Sequence, residues 1–187
     1  MQRLIVGISG ASGAVYGIRT LQALRDIPNI ETHLILSPAA KRTILEETSW
    51  GVAAVESLAD VVHSHRDIGA SIASGSFQTI GMLIVPCSIK SLSSIVNCYA
   101  DNLLTRAADV CLKERRRLVL LVRETPLHLG HIELLEKACR FGAVLLPPVP
   151  AFYNRPKTIE DIIDHTIGKV LDQFNLPNQL LKRWKEL

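Results

Sequence analysis

A glycine-rich segment near the start of the chain, GISGASG at 7–13, has the composition and position of a phosphate-binding turn. It follows an apolar run at 4–6 and precedes a helical pattern at 15–24, so it joins a strand to a helix. Glycine lets the backbone approach a ligand closely, and the free N–H groups of a first helical turn attract an anion. The hydroxyl of Ser12 can add a donor or cap the helix. A tight turn without a ligand is the alternative that this motif leaves open.

The spacing of the glycines favours a mononucleotide over a dinucleotide. Dinucleotide-binding turns have the pattern G-x-G-x-x-G, with an acidic residue at the end of the second strand that binds a ribose hydroxyl. In this chain the pattern is G-x-x-G-x-x-G, and the second predicted strand is followed by Ser37. Glu31 lies at the opposite end of that strand. The turn therefore fits a mononucleotide better than NAD.

A serine-rich segment, SIKS at 88–91, opens a predicted helix directly after a buried strand. It offers two hydroxyl groups and several N–H groups without partners in the helix. Ordinary N-capping by Ser88 is one interpretation. Contact with a flavin or a phosphate is the other, and the neighbouring glycine turn favours it.

Three charged residues form a stripe on the otherwise apolar helix predicted at 102–114. Arg106, Asp109 and Lys113 stand at i, i+3 and i+7. Such groups are costly on a buried helix unless they pair or meet a ligand. The stripe is either a ladder of ion pairs or a phosphate grip in which Asp109 holds one cation in place.

A basic and an acidic residue directly follow the strand predicted at 118–122. Arg123 and Glu124 follow a buried strand, where the planar guanidinium suits a phosphate and a carboxyl group beside a phosphate can carry a proton. A surface ion pair is the alternative.

Glu46 and Glu47 stand at the end of a helix, and their position alone favours a solvated helix end. No grouping typical of metal ligands is seen among five of the histidines, at positions 63, 65, 128, 131 and 165.

Helical and strand patterns alternate along the chain, which indicates one parallel sheet with helices on both faces. Five strands are expected at about 3–9, 31–36, 81–85, 118–122 and 144–146, with helices at about 13–26, 39–47, 88–99, 102–114, 128–140 and 158–174. The stretch 49–78 is less regular, and a short tail helix is expected near 178–185, within a C-terminal tail at 175–187. Ligands bind at the carboxyl ends of parallel strands. The polar residues that follow the five strands are therefore expected to form one site.

The composition bounds the class of protein. The 187 residues suffice for one α/β domain, and a net charge of +3 is too balanced to predict nucleic-acid binding. No apolar run approaches the roughly 20 residues of a membrane span, and no signal peptide is visible. Hydrophobic residues make up 48% and the mean hydropathy is +0.22, which we attribute to subunit interfaces. Four cysteines without a C-x-x-C pair favour a cytoplasmic protein.

Taken together, these segments resemble the flavin prenyltransferases, the UbiX-like family. The resemblance covers nearly the whole chain in order and is carried by VGISGASG at 6–13, SGSF at 74–77, PCS at 86–88, RAADVCLKE at 106–114, VRETPL at 122–127 and PAFY at 150–153. It implies a flavodoxin-like or Rossmann-like single domain, 1–187, in a large homo-oligomer. It also implies transfer of a dimethylallyl group from dimethylallyl phosphate to N5 and C6 of reduced FMN. The prenylated FMN would serve a UbiD-type decarboxylase.

The family resemblance also implies roles for individual residues. FMN would be bound by Gly10, Ala11, Ser12, Ser37, Ser88, Ile89, Lys90, Ser91 and Arg123. The donor phosphate would be held by Tyr153 and Lys169 with help from Ser74, Arg106, Lys113 and Glu124. The catalytic groups would be Ser12, Glu47, Lys113 and Glu124, with Ser12 and Glu47 moving protons near the flavin. Position 169 is often arginine in the family, and lysine keeps the charge without the bidentate fork. No carboxylate cluster for Mg²⁺ stands out, so we expect no metal.

Two alternatives belong to other classes. A cysteine decarboxylase of the same fold would contain a P-x-M-N-x-x-M-W stretch, whereas this chain has only Met1 and Met82. A non-catalytic FMN-binding subunit would not require Lys113, Glu124, Tyr153 and Lys169 together.

Overall fold

The buried strands form one six-stranded parallel sheet with the order β3-β2-β1-β4-β5-β6. The structure is a computed structural model that describes residues 1–181 and 183. Its strands are β1 Gln2–Ile8, β2 Ile30–Leu36, β3 Val61–His63, β4 Gly81–Cys87, β5 Arg117–Val122 and β6 Val144–Leu145. Its helices are α1 Ala14–Arg25, α2 Pro38–Glu47, α3 Val52–Glu56, α4 Ile89–Val96, α5 Leu103–Lys113, α6 Leu129–Arg140 and α7 Ile159–Asp172, with a 3₁₀ turn at Ser71–Ala73.

Side-chain caps fix where five of the described helices begin, and one of them is His128 at the start of α6. Ser37, Ser88 and Asn102 each accept a hydrogen bond from the backbone N–H three residues later. Thr158 does the same for α7 and exchanges hydrogen bonds with Asp161 in a capping box. Each cap satisfies an N–H group that has no partner inside its helix. The caps of α2 and α4 lie directly after β2 and β4, so both helices begin at the carboxyl edge, the edge formed by the C-terminal ends of the strands.

Two hydrophobic cores cover the two faces of the sheet. Residues of α1, α2 and α7 pack on one face, among them Leu21, Ile44 and Ile167. Residues of α4, α5 and α6 pack on the other, among them Leu92 and Leu104. Since both faces are buried, the central strands are almost continuously apolar. This architecture confirms the predicted single α/β domain of the flavodoxin-like or Rossmann-like class.

The strand β3 is not among the predicted strands, because it lies in the stretch 49–78, whose sequence pattern is less regular. It has three residues at the edge of the sheet, and it pairs with β2 from His33↔Val61 to Ile35↔His63. Val62 is 45% exposed, so the segment lacks the continuous apolar character of the central strands. With β3, the strand order is that of Rossmann-like sheets.

The predicted tail helix near 178–185 is not found in the part that the structure describes. Residues 176–181 are assigned no helix, and Lys182 and 184–187 lie outside the described residues. The other predicted helices are confirmed within a few residues at each end. Among residues 1–181 and 183, no helix is long and apolar enough to cross a membrane.

The strand order places a topological switch point between β1 and β4. The chain leaves β1 toward β2 and β3, then returns to add β4, β5 and β6 on the other side. Loops after β1 and β4 therefore diverge at the carboxyl edge and leave a crevice between them, where ligands of such sheets bind. The glycine-rich turn follows β1 and the serine-rich segment follows β4, so both lie beside this crevice.

Candidate functional site

An open cavity of about 360 Å³ lies at the carboxyl edge, between the turn after β1 and the loops after β5 and β6. We call it the edge cavity. It is lined by Ser12, Gly13, Tyr16, Val122, Arg123, Glu124, Thr125, Pro147, Pro148 and Val149. The structure thus brings together three predicted site residues, Ser12, Arg123 and Glu124, from two distant parts of the chain.

The anion at the N-terminus of α1 is a carboxylate of the protein itself. Gly13 N–H donates to Glu47 Oε2 at 2.7 Å, and Ala14 N–H donates to the same oxygen at 3.2 Å. This geometry corrects the expectation that the first-turn N–H groups hold a phosphate. The N-cap is Gly13, with a left-handed φ of 102°, so Ser12 is not the capping residue. Glu47 is exposed at the end of α2, as its position alone favours, but it also accepts these two hydrogen bonds, so it is not only a solvated helix end.

The electrostatics of the edge cavity keep Glu47 ionised. Partial burial raises the pKa of Glu47, but hydrogen bonds from Gly13, Ser12 and Ala14, together with the charge of Arg123, outweigh it and hold this pKa below its ordinary value of 4.5. Arg123 is half-buried, and its guanidinium donates no hydrogen bond to any residue that the structure describes. A cation held beside a carboxylate at the cavity wall is suited to bind an anionic or carbonyl group of a ligand.

The starts of α2 and α4 offer a second set of donors at the same edge. Ser37 Oγ accepts from Ala40 N–H at 3.0 Å, and Ser88 Oγ accepts from Ser91 N–H at 3.2 Å, so both serines act as N-caps. Beyond each cap, first-turn N–H groups such as that of Lys90 have no partner within the helix. These two helix starts fit a phosphate better than the start of α1, where Glu47 is already bound.

Gly10 and Ser9 fix how closely the glycine turn packs against the start of α2 and the end of β4. A side chain at Gly10 would clash with Ala39 in the first turn of α2, so only glycine lets the turn pack this closely. Ser9 is 1% exposed. Its hydroxyl donates to Pro86 O at 2.9 Å and accepts from Ser88 N–H at 2.8 Å. Ser9 therefore ties the end of β1 to the end of β4 at the switch point. Ser9 is not among the predicted site residues, although a serine that ends an apolar strand is a signal for such a role.

A second group of charged residues surrounds the loop at 73–77, on the helical face that carries α5. We call this group, formed by Ser74, Arg106, Asp109, Lys113 and Glu114, the α5 cluster. Arg106 Nη1 donates to Asp109 Oδ2 at 2.7 Å, and its Nε donates to Ala73 O at 3.3 Å. Lys113 donates to Glu114, which corrects the expected three-membered ladder. Ser74 Oγ lies 2.8 Å from Ser76 Oγ. Within the stripe itself, Arg106 and Asp109 form an ion pair, whereas Lys113 pairs outside the stripe.

The α5 cluster and the edge cavity lie at different places on the subunit. Lys113 ends α5 just before β5 begins at Arg117, whereas Glu124 follows the other end of β5. The six residues of β5 span about 20 Å at the usual rise of a strand. Lys113 and Glu124 therefore do not meet within one subunit. The family resemblance assigns Lys113 and Glu124 to the same donor phosphate, and within one subunit they do not meet there.

The remaining predicted phosphate ligands lie on and beside α7. Tyr153 is in the loop that precedes α7, and its hydroxyl lies 2.9 Å from Nε2 of His165. Lys169 is exposed and stands one helical turn after His165. Burial and the charge of Lys169 lower the pKa of His165 below its ordinary value. Tyr153 and Lys169 thus share one side of α7.

Comparison with known proteins decides the family. The family model described as Flavoprotein matches residues 1–171. Over 187 residues the chain is 63% identical to the flavin prenyltransferase UbiX of Escherichia coli strain K12, with 99% of each chain covered. The chain belongs to the UbiX family of flavin prenyltransferases. This membership confirms the predicted family, and with it the enzyme class and FMN as the flavin.

Solved structures of UbiX-like proteins have the same fold. One is described as AnUbiX (PadA1) in complex with FMN and dimethylallyl pyrophosphate. It superposes with a TM-score of 0.97 at 47% identity, covering 100% of this chain and 98% of that one. Another is described as a dodecameric FMN-dependent Ubix-like decarboxylase from Escherichia coli O157:H7. It has a TM-score of 0.97 at 50% identity and covers 98% of this chain and 100% of that one. The roles of the individual residues in this UbiX-family chain remain predictions.

Proposed function

We propose that this chain joins a dimethylallyl group from dimethylallyl phosphate to N5 and C6 of reduced FMN. The observation that carries the proposal is the edge cavity. There Ser12 of the glycine turn lies beside Glu47 and Arg123, close to two capped helix starts. In the reaction, the allylic C–O bond of the donor breaks, inorganic phosphate leaves, and the prenyl group forms its new bonds to the flavin. The bound reduced flavin supplies the nucleophile, so the protein itself needs none.

The residues at the carboxyl edge fit FMN. We assign the flavin phosphate to the starts of α2 and α4, because Glu47 already binds the start of α1. The predicted ligands in this region are Gly10, Ala11, Ser37, Ser88, Ile89, Lys90 and Ser91. Arg123 would contact the ring system from the wall of the edge cavity. Ser12 and Glu47 would move protons at the reacting edge of the ring, since the hydroxyl of Ser12 donates to the carboxylate of Glu47.

The donor phosphate needs positive charge around it. Breaking the allylic C–O bond places positive charge on the prenyl group and negative charge on the departing phosphate. Lys169 and Tyr153 would bind that phosphate, and Glu124 would supply a proton to it. Arg106, Lys113 and Ser74 would complete the phosphate site. Within one subunit, however, Lys113 lies at the other end of β5 from Glu124.

We therefore propose that the donor site is completed between subunits of a homo-oligomer, with the α5 cluster of one chain facing the edge cavity of another. Large apolar side chains are exposed on the loops of the carboxyl edge and on the helices that start there: Leu129 is 72% exposed, Val149 73%, Phe152 69% and Ile159 73%. Such a group of exposed apolar side chains is typical of an interaction surface. The dodecameric relative supports the same assembly.

The product would serve a UbiD-type decarboxylase in the cytoplasm. Prenylated FMN is a modified flavin with no further use in the transfer itself, so a second protein must receive it. All four cysteines are free in the structure, and Cys87 and Cys111 are buried. Free thiols support a reducing compartment.

The experiment is anaerobic incubation of the purified protein with reduced FMN and dimethylallyl phosphate, followed by mass spectrometry of the extracted flavin. We expect flavin that is heavier by one dimethylallyl unit, together with an equal amount of inorganic phosphate. Oxidised FMN is the matched control and should remain unmodified. A cysteine decarboxylase would release CO₂ from a peptidyl cysteine instead, and a non-catalytic subunit would bind FMN without changing it. Unmodified flavin with either of these results would refute the proposal.

A further inference from the structure

His165 is a buried polar side chain whose position on α7 the proposed reaction does not yet use. It is 7% exposed. Its Nε2 lies 2.9 Å from the hydroxyl oxygen of Tyr153, and the two rings meet nearly perpendicularly, at 78° with centroids 5.5 Å apart. The imidazole therefore contacts Tyr153 through both a hydrogen bond and an edge-to-face ring contact.

His165 also neighbours Lys169, which lies one turn further along α7. Residues at i and i+4 face the same side of a helix. The burial of the ring and the charge of Lys169 both lower the pKa of His165, so the imidazole is neutral at neutral pH. A neutral ring can hydrogen-bond to the phenol without adding a second positive charge beside the lysine.

The loop that carries Tyr153 has no regular secondary structure of its own. Residues 146–158 connect β6 to α7 as a loop, and two of its backbone hydrogen bonds, Val149 N–H to Pro147 O and Arg155 N–H to Phe152 O, are local. Tyr153 is 43% exposed. Its hydrogen bond with His165 joins this surface loop to a helix whose apolar residues belong to the same core as those of α1.

We propose that His165 is a positioning residue for the donor phosphate: it holds the Tyr153 hydroxyl beside the Lys169 ammonium, so that both reach the same phosphate. This inference rests on the proposed function, which assigns Tyr153 and Lys169 to the donor. Lysine is a point charge on a flexible stem and lacks the fork of arginine. A fixed phenol supplies the directional contact that a lysine alone does not.

The test compares two replacements of His165. His165→Phe keeps a ring in the same space but removes the hydrogen bond, whereas His165→Gln keeps a polar group that can reach the phenol. The affinity for dimethylallyl phosphate is measured by calorimetry on protein loaded with oxidised FMN, which cannot react. We expect His165→Phe to raise the dissociation constant about three- to tenfold, the usual effect of losing one neutral hydrogen bond. The glutamine variant should restore an affinity close to that of the wild type.

Kinetics and a double-mutant cycle separate positioning from a purely structural role. His165→Phe should raise KM for the donor and leave kcat and FMN affinity unchanged. Because His165 acts through Tyr153, adding His165→Phe to Tyr153→Phe should cause no further loss. Fully additive losses would overturn the proposal, and so would wild-type affinity in His165→Phe.

Two further outcomes are decisive. If His165→Phe does not assemble, His165→Asn replaces it, because its shorter amide falls short of the phenol. Equal affinity in the asparagine and glutamine variants would then refute the proposal. Failure of the proposed function is distinguishable, since in that case the wild-type protein itself would bind no dimethylallyl phosphate and prenylate no FMN.

Discussion

The edge cavity and the α5 cluster both contain charged residues predicted to act in one reaction, but they differ in how complete they are. In the edge cavity, backbone N–H groups and Ser12 of the glycine turn and Arg123 after β5 converge on Glu47 from two distant segments of the same chain. In the α5 cluster, the charges of Arg106 and Lys113 are paired with near neighbours along the same helix. The edge cavity is assembled from distant segments of one subunit. The α5 cluster pairs its charges along one helix and lies at the surface.

This difference supports the proposal that one subunit contains a flavin site and only parts of a donor site. A charged pair on the surface contributes little to stability, so Lys113 and Glu114 are not needed to hold the fold. Buried and converging groups such as Ser9 are needed for it. The following experiments test that distinction, beginning with the largest expected effect.

Lys113→Met should cause the largest loss of activity. If Lys113 binds the donor phosphate, the variant should fold, assemble and bind FMN, yet lose about ten- to a hundredfold in kcat/KM, the usual worth of a charge-assisted hydrogen bond. Steady-state kinetics with the flavin product measured by mass spectrometry checks this. Glu114→Gln is the matched control, because it breaks the same ion pair and leaves the lysine in place. If the two variants have the same activity, Lys113 has a structural role only.

Ser9→Ala should weaken both the fold and the flavin site. It removes the partner of the buried Pro86 O and Ser88 N–H groups, which costs about 1–3 kcal/mol. The free energy of unfolding should fall by this amount, and FMN affinity should fall with it. Ser57→Ala is the control, since that hydroxyl donates to Ala54 O at an exposed position. Equal and small effects of the two variants would show that Ser9 does not fix the crevice.

Glu47→Gln should have a smaller and pH-dependent effect on stability. The folded-state pKa of Glu47 is lowered, so its stabilising contribution is present above its ordinary value of 4.5 and is lost as the pH falls through the lower folded value. Because Glu47 is exposed, we expect less than about 1 kcal/mol. Thermal unfolding of both proteins at pH 7 and below pH 4 measures the difference. A difference that does not shrink in acid would contradict the role of the charge at the start of α1.

The sequence predicted the sheet and most helices because the strands are long apolar runs and the caps are local. Residues that act through local chemistry were also found, such as Ser37 and Ser88. The strand β3 was missed because it is short, lies at the edge and is half exposed. The ladder interpretation included Lys113 because helical spacing alone cannot tell that it pairs with Glu114, the next residue, where the helix ends.

The roles of Glu47 and Ser9 depend on tertiary structure. Glu47 is the last residue of α2, and only the fold brings it next to the N–H group of Gly13, 34 positions earlier in the chain. Ser9 likewise meets Ser88 across 79 positions. Such contacts leave no periodic pattern in the sequence. The assignment of Glu47 near the flavin came from the family resemblance, and the residues alone favoured a solvated position.

The central claim, that two subunits complete one donor site, is tested most directly by mixed oligomers. The Lys113→Met and Glu124→Gln proteins should each be nearly inactive alone, and they are unfolded and reassembled together in equal amounts. If Lys113 of one chain serves Glu124 of another, about a quarter of the sites contain both residues, so about a quarter of wild-type activity should return. Separately reassembled variants are the controls. Mixed oligomers that are no more active than these controls would contradict a site shared between subunits.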